Sequence, residues 1–116
     1  MREFTKRHKR NAWAARIEKT YGITAAEYEA ILRIQGGKCA VCKRATGATR
    51  MLSVDHNHQL PPGRESVRGL LCRPCNDMVG RMRDEADAFY RAFHYLRFPP
   101  AQKVLSDQVI PLPNAE

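Results

Sequence analysis

The chain holds no apolar run near the roughly 18 residues that a membrane-spanning helix requires. Its opening stretch, MREFTKRHKRNAW, has no apolar core of the kind that drives secretion. That stretch also lacks serine and carries Glu3, which argues against an organellar transit peptide. With neither anchor nor leader legible, the chain reads as cytoplasmic. Acids are scarce: 12 Asp and Glu stand against 20 Lys and Arg, for a net charge of +8 and a pI near 9.7. This imbalance favours a polyanionic partner, most simply nucleic acid, with a merely soluble basic protein as the plain alternative. Cysteines stop at four, and no repeat is visible beyond their pairing.

What is present is enough for one modest domain. The length is 116 residues and the hydrophobic fraction 43%, so composition does not predict disorder. A core of this size gains from an added cross-link. The basic excess is unevenly spread. Arg2, Lys6, Arg7, Lys9, Arg10, Arg16 and Lys19 face only Glu3 and Glu18 in the first 19 residues, and a second excess surrounds the cysteines at 38–83.

Residues 9–19 favour a helix, with Trp13, Ala14 and Ile17 able to share a face. Tyr21-Gly22 breaks it. Thr24 followed by Glu27 is a capping box for a second helix, whose apolar side is Tyr28, Ile31, Leu32 and Ile34. Gly36-Gly37 ends it. Met51, Leu52 and Val54 suggest a strand running into Asp55-His56. Pro61-Pro62-Gly63 turns the chain, and SVRGLL (66–71) reads as the returning strand. A third helix is expected from Asn76. A last one, capped by Asp84, would run to about Leu96 with Phe89, Phe93 and Leu96 on one side. From Phe98 an extended or partly ordered tail is expected, one that could dock on the core or on a partner. The division is thus a basic helical arm at 1–19, a central domain at 20–97 and a Pro-bearing tail at 98–116.

The cysteines form two CxxC pairs, Cys39/Cys42 and Cys72/Cys75. Each pair presents two sulfurs from one tight loop, and two pairs complete the tetrahedron of a zinc ion. Disulfides suit a secreted chain, and a redox CxxC needs only one pair in a thioredoxin-like setting. Four thiolates leave no open position, so this zinc is structural and not catalytic.

Between the pairs lies VDHNHQ (54–59), which packs Asp55, His56 and His58 together. Alone it would read as a polar turn. Asn76, however, directly follows the last cysteine, and two paired strands crossed by the helix would let Asp55, His56 and Asn76 converge. Neutral imidazole can accept a proton near neutral pH. A carboxylate and an amide oxygen suit a hard divalent cation, which sulfur does not.

The run YGIT…Y…IL…QGGKCAVCKR…LSVDHNHQ…VRGLLCRPCN resembles the recombination endonuclease VII family, phage-type members of the His-Me finger (HNH-like) nucleases. The resemblance covers roughly residues 20–97. It implies an α+β fold with a zinc-stabilised ββα-metal core flanked by helices. His56 would be the general base, and Asp55 and Asn76 would ligate a catalytic Mg²⁺ or Mn²⁺. His58 would orient a phosphate or assist proton transfer. The implied activity is DNA endonuclease cleavage to 5′-phosphate and 3′-hydroxyl ends, in a phage-infected host cell. Branched DNA such as Holliday junctions and homodimerisation are among the implications, with a general nicking or packaging-associated nuclease as the nearest variant. No separate C-terminal domain for a large dimer is legible, which leaves that contact to the N-terminal helices.

Arg64, Arg68 and Arg73 are the candidates for phosphate contact through bidentate hydrogen bonds, with solvated surface arginines as the plain alternative. Lys6, Arg7, Lys9 and Arg10 of the arm stand in the same position. Trp13, Tyr21, Tyr28, Phe89 and Phe93 read as core, His94 as structural and His8 as exposed. The rival readings of the whole are a non-catalytic zinc-finger DNA-binding module, which needs the cysteines but not Asp55, His56 and Asn76, and a protein-interaction zinc domain.

Overall fold

The second helix begins where its local signal places it, whereas the first, third and fourth start at other positions than the sequence suggests. The computed structural model describes residues 2–106, in two compact units, Met1–Met78 and Val79–Glu116. Helix α1 runs Arg2–Tyr21, seven residues longer at its start than periodicity alone suggests. Helix α2 is Ala25–Ile34. The Thr24 hydroxyl accepts from the Glu27 amide at 3.1 Å, and the Glu27 carboxylate accepts from the Thr24 amide at 2.9 Å, so the capping box is formed. Gly36 and Gly37 stop the helix with φ of 75° and 76°, a left-handed geometry that a side chain would strain.

Two strands follow, β1 (Ser53–His56) and β2 (Val67–Leu71), paired antiparallel. Ser53 lies opposite Leu71, Val54 opposite Leu70, Asp55 opposite Gly69, and His56 opposite Val67. The register therefore skips Arg68, the extra residue of a β-bulge. A 3₁₀ turn at Arg64–Ser66 leads into β2. Ser66 is buried and its hydroxyl donates to the Gly63 carbonyl at 2.6 Å.

The edge of β2 is closed by a side chain. The Gln35 amide accepts from the Leu70 N–H at 2.8 Å and donates to the Leu70 carbonyl at 2.9 Å, as a neighbouring strand would. It also donates to the Lys38 carbonyl at 2.8 Å. This close approach accounts for Gly69, where an added Cβ would lie 3.0 Å from Oε1 of the Gln35 side chain. The Ala40 N–H donates to Leu70 O at 3.2 Å, tying the first CxxC loop to the same strand.

In the first unit α1 packs on α2 and α2 on β2. The core holds Ile17, Ile23, Tyr28, Leu52, Val54, Leu70 and Leu71, with Cys39 and Cys75. Tyr28 is its polar anchor. Its hydroxyl donates to the Leu52 carbonyl at 2.6 Å, and Trp13 meets its ring edge-on at 4.9 Å. Burial, with Glu29 adding to it, pushes the Tyr28 phenol up to about 12. Ile34, expected on the apolar side of α2, is exposed in the last turn.

Helix α3 spans Arg73–Arg81, starting three residues before Asn76. The Asn76 N–H donates to the Cys72 carbonyl at 2.9 Å, which is the first helical bond. Pro74 fits because amides of the first turn have no helical partner. In the second unit α4 runs Ala86–Arg97. Asp84 does not cap it. Arg83 and Asp84 both take φ near 58°, at 57° and 58°, and the N-cap is Glu85. A left-handed residue cannot adopt the extended conformation a capping side chain needs. Phe93 is half exposed and Leu96 more so, against the reading of that side as core. His94 Nε2 lies 2.9 Å from the Tyr90 hydroxyl. The tail, expected to be extended or partly ordered, contains one helical turn, α5 (Gln102–Leu105); its remainder, from 107, lies outside the described residues. Among the described residues no helix is long and apolar enough to cross a membrane.

Candidate functional site

The four cysteines converge although 29 residues separate the pairs. Their sulfurs all lie within 4.8 Å of one another, and Cys42 and Cys72 Sγ are 3.9 Å apart. Zinc–sulfur bonds of about 2.3 Å in a tetrahedron place sulfurs about 3.8 Å apart, whereas a disulfide needs about 2.05 Å. The cluster therefore fits a zinc ion and is not a pair of disulfides. Its environment also calls for a cation. Burial of Cys75, and the neighbouring thiols that compete with it, hold its proton on. Cys39 is also buried, but backbone amides around it draw its thiol down. A divalent ion is what lets all four ionise together.

Helix α3 and strand β2 both start or end at this cluster, since Cys72 follows Leu71 and Cys75 lies in the first turn of α3. The order β1, β2, α3 thus hangs on the zinc loops. Asn76 is half-buried in that same first turn.

Asp55 sits on β1 with 7% of its surface exposed. Arg68 Nε donates to its Oδ2 at 2.8 Å and Nη2 to its Oδ1 at 3.1 Å. This is a bidentate pair, the stronger kind of charged hydrogen bond. It exists because the bulge removes Arg68 from the ladder and frees its side chain to reach Asp55. The sequence offered Arg68 as a phosphate ligand; the structure gives it a carboxylate partner thirteen residues away.

His56 ends β1, half-buried. Its ring centroid is 4.3 Å from that of His58 and 5.7 Å from that of Tyr21. Asn57 brings the two histidines together. Its amide N–H donates to Ser66 O at 2.7 Å, which continues the hairpin, and its side-chain oxygen accepts from the Gln59 N–H at 2.9 Å. Such an Asx turn folds His58 back over His56. Asn57 escaped the sequence reading, though Asn ahead of a turn was a usable signal.

Arg64 is likewise engaged. It donates to the Gly22 carbonyl at 3.0 Å and pairs with both oxygens of Glu27. This hydrogen bonding to Arg64, with the Thr24 amide next, lowers the Glu27 carboxyl to about 2. The capping residue of α2 is thereby tied to the turn that enters β2. Arg73 is exposed at the start of α3. The structure brings Asp55 to Arg68 and His56 to His58.

Comparison with known proteins bears on this arrangement. A family model described as recombination endonuclease VII matches residues 14–98. Two curated relatives, each called Gene 59 protein, come from the Mycobacterium phages D29 and L5 and are 46% and 44% identical over 112 residues. Each alignment covers 96% of this chain and 66% of the relative, so the chain spans just under two thirds of their length. No solved structure matches the chain.

Proposed function

The chain belongs to the recombination endonuclease VII family, and from that premise we propose that it is a metal-dependent DNA endonuclease whose site is Asp55, His56, His58 and Asn76. Cleavage of a phosphodiester needs an activated water and relief of charge on the departing oxygen. His56, at the mouth of the hairpin and half open to solvent, takes the water's proton at a ring nitrogen. His58, whose ring is tilted against it, is exposed and would meet a phosphate oxygen or pass the proton on.

The donor chemistry of the remaining residues fits a hard cation. The two Asp55 oxygens offer about four lone-pair sites. Arg68 uses two of them, and the others, with the Asn76 amide oxygen, would be the donors that hold a Mg²⁺ or Mn²⁺ ion. When bound, such an ion supplies electrostatic stabilisation of the charge that builds on the phosphate and leaving oxygen. Arg68 holds the carboxylate in a fixed orientation, and the zinc cluster holds the first turn of α3, with Asn76, against β2. We assign this ββα-metal unit to the span 20–97. Its products are 5′-phosphate and 3′-hydroxyl ends. Branched DNA is the proposed preferred substrate, and pairing of two copies through the N-terminal helices is the proposed assembly.

The observation that carries the reading is the placement of His56 and His58 on a hairpin whose return strand runs directly into the four-cysteine cluster. A second reading, a non-catalytic zinc-bound DNA-binding module, draws on the Arg68–Asp55 pair, which gives the carboxylate a structural occupation. A plasmid-nicking assay with Mg²⁺ separates them. The wild type is expected to nick and His56→Ala to lose at least about a hundredfold in rate, the usual worth of a general base. Equal nicking by both removes His56 from the role. Binding without nicking by the wild type, on plasmid and on a four-way junction, favours the module.

A further inference from the structure

The helical period of α1 puts Lys9, Arg10, Trp13, Arg16, Ile17 and Tyr21 on one side. Opposite them runs the segment Arg50–Val54, which ends in β1. Between the two lies a groove of about 570 Å³. Four of its lining residues, Lys9, Arg10, Arg16 and Arg50, are cations, and none is acidic. Arg10 is loosely matched by Glu29 at 3.6 Å on an exposed surface, a pairing of little worth. The floor is apolar and aromatic, with Ile17, Tyr28, Leu52 and Val54 buried beneath Trp13. One end of the groove is Tyr21, whose ring lies against His56.

We infer that this groove holds the sugar-phosphate backbone of one DNA strand on its way to His56. The inference rests on the proposal that DNA is the substrate, and it names where the strand lies. Charge decides the occupant. A furrow with cations on both banks and no carboxylate in its lining repels basic ligands and concentrates anions. Its volume is that of a small-ligand pocket, in the range of about 300–1,000 Å³, so it takes a short run of one backbone of a duplex whose other strand lies outside it. Its open form and its exit at the histidine suit a polymer passing through. The cations also come from two banks far apart in sequence, so that only the folded chain presents them together.

The test is binding of a fluorescein-labelled DNA duplex, followed by anisotropy across a salt series without added divalent cation. It uses the zinc-loaded 116-residue chain carrying His56→Ala, so that cleavage does not enter. Arg16→Ala/Arg50→Ala removes one cation from each bank. Lys19→Ala/Arg33→Ala removes the same charge from positions that do not line the groove. The groove variant is expected to bind at least tenfold more weakly than the control variant at about 0.15 M salt. Its slope of log K against log salt should fall by about 2, since each lost phosphate contact lowers it by about 0.9. Both substitutions are on exposed residues, and unchanged circular dichroism confirms the fold. Equal losses in the two variants, or no loss in either, overturn the groove. Absence of plasmid nicking by the wild type overturns the nuclease reading instead, and leaves the groove to stand or fall on binding.

Discussion

Replacing Arg68 by alanine strips the partner from a carboxylate that is almost fully buried. The Asp55 side chain is 9% exposed and the Arg68 side chain 33%. Breaking a fully buried ion pair by removing one member costs about 3–5 kcal/mol, because the other charge is left uncompensated. Water reaches a third of Arg68, so the expected loss is smaller, about 2 kcal/mol. For a domain of this size each kcal/mol moves the melting temperature by about 4–8 °C, which gives a fall of about 10 °C. Asp55→Asn alone should cost about 1 kcal/mol, since the stranded guanidinium can turn to solvent. In the double variant a neutral amide no longer needs the cation, so much of the loss returns. The coupling energy of the cycle should be about 1.5 kcal/mol or more. Urea denaturation of the four proteins at neutral pH and one fixed free-zinc concentration measures it, since zinc binding itself raises apparent stability. Single losses that add to within about 0.5 kcal/mol would mean that the pair is not coupled, and the account of the bulge as the device that seats Asp55 would fail.

Stripping the metal with a strong chelator should abolish the cooperative melt, because structural zinc contributes about 10–16 kcal/mol, more than a small domain's net stability; unchanged circular dichroism and melting after verified zinc removal would contradict this. Tyr28 should keep its proton past the range in which exposed tyrosines titrate, visible as one of four phenols lagging in the ultraviolet titration. The folded phenol holds its proton harder than the unfolded one, so that stability is intact below about 10 and drains away as pH climbs through about 12; Tyr28→Phe should lose this dependence, and at neutral pH should cost about 1–2 kcal/mol by stranding the Leu52 carbonyl. Gly69→Ala should push the Gln35 amide off β2 and lower stability by about 1–3 kcal/mol. Gln35→Ala should absorb most of that penalty, and a full additional loss in the Gly69→Ala/Gln35→Ala protein would refute the edge-pairing role.

Local chemistry made much of this protein readable from its residues. A capping box acts over three positions, so Thr24 and Glu27 announce the start of α2 without knowledge of anything else. Gly36-Gly37 ends it by a backbone preference of the glycines themselves. The two CxxC pairs call for one zinc because thiolate softness and tetrahedral geometry leave few alternatives, and the run from 54 to 76 carries the family's pattern. Where a local signal failed, a backbone conformation overrode it, as at Asp84, whose left-handed φ removes it from the cap. Tertiary structure alone decided the partnerships. Arg68 meets Asp55 because a bulge breaks the register, Arg64 clasps Glu27 on the surface across 37 positions, and Gln35 acts as a strand for Leu70. The cationic groove is of the same kind, since Arg16 and Arg50 share it only through packing. The reason is range. Helix caps, glycine turns and ligand spacing are energies of neighbouring residues, whereas ion pairs and surfaces depend on distances through space that the chain acquires only when its core closes.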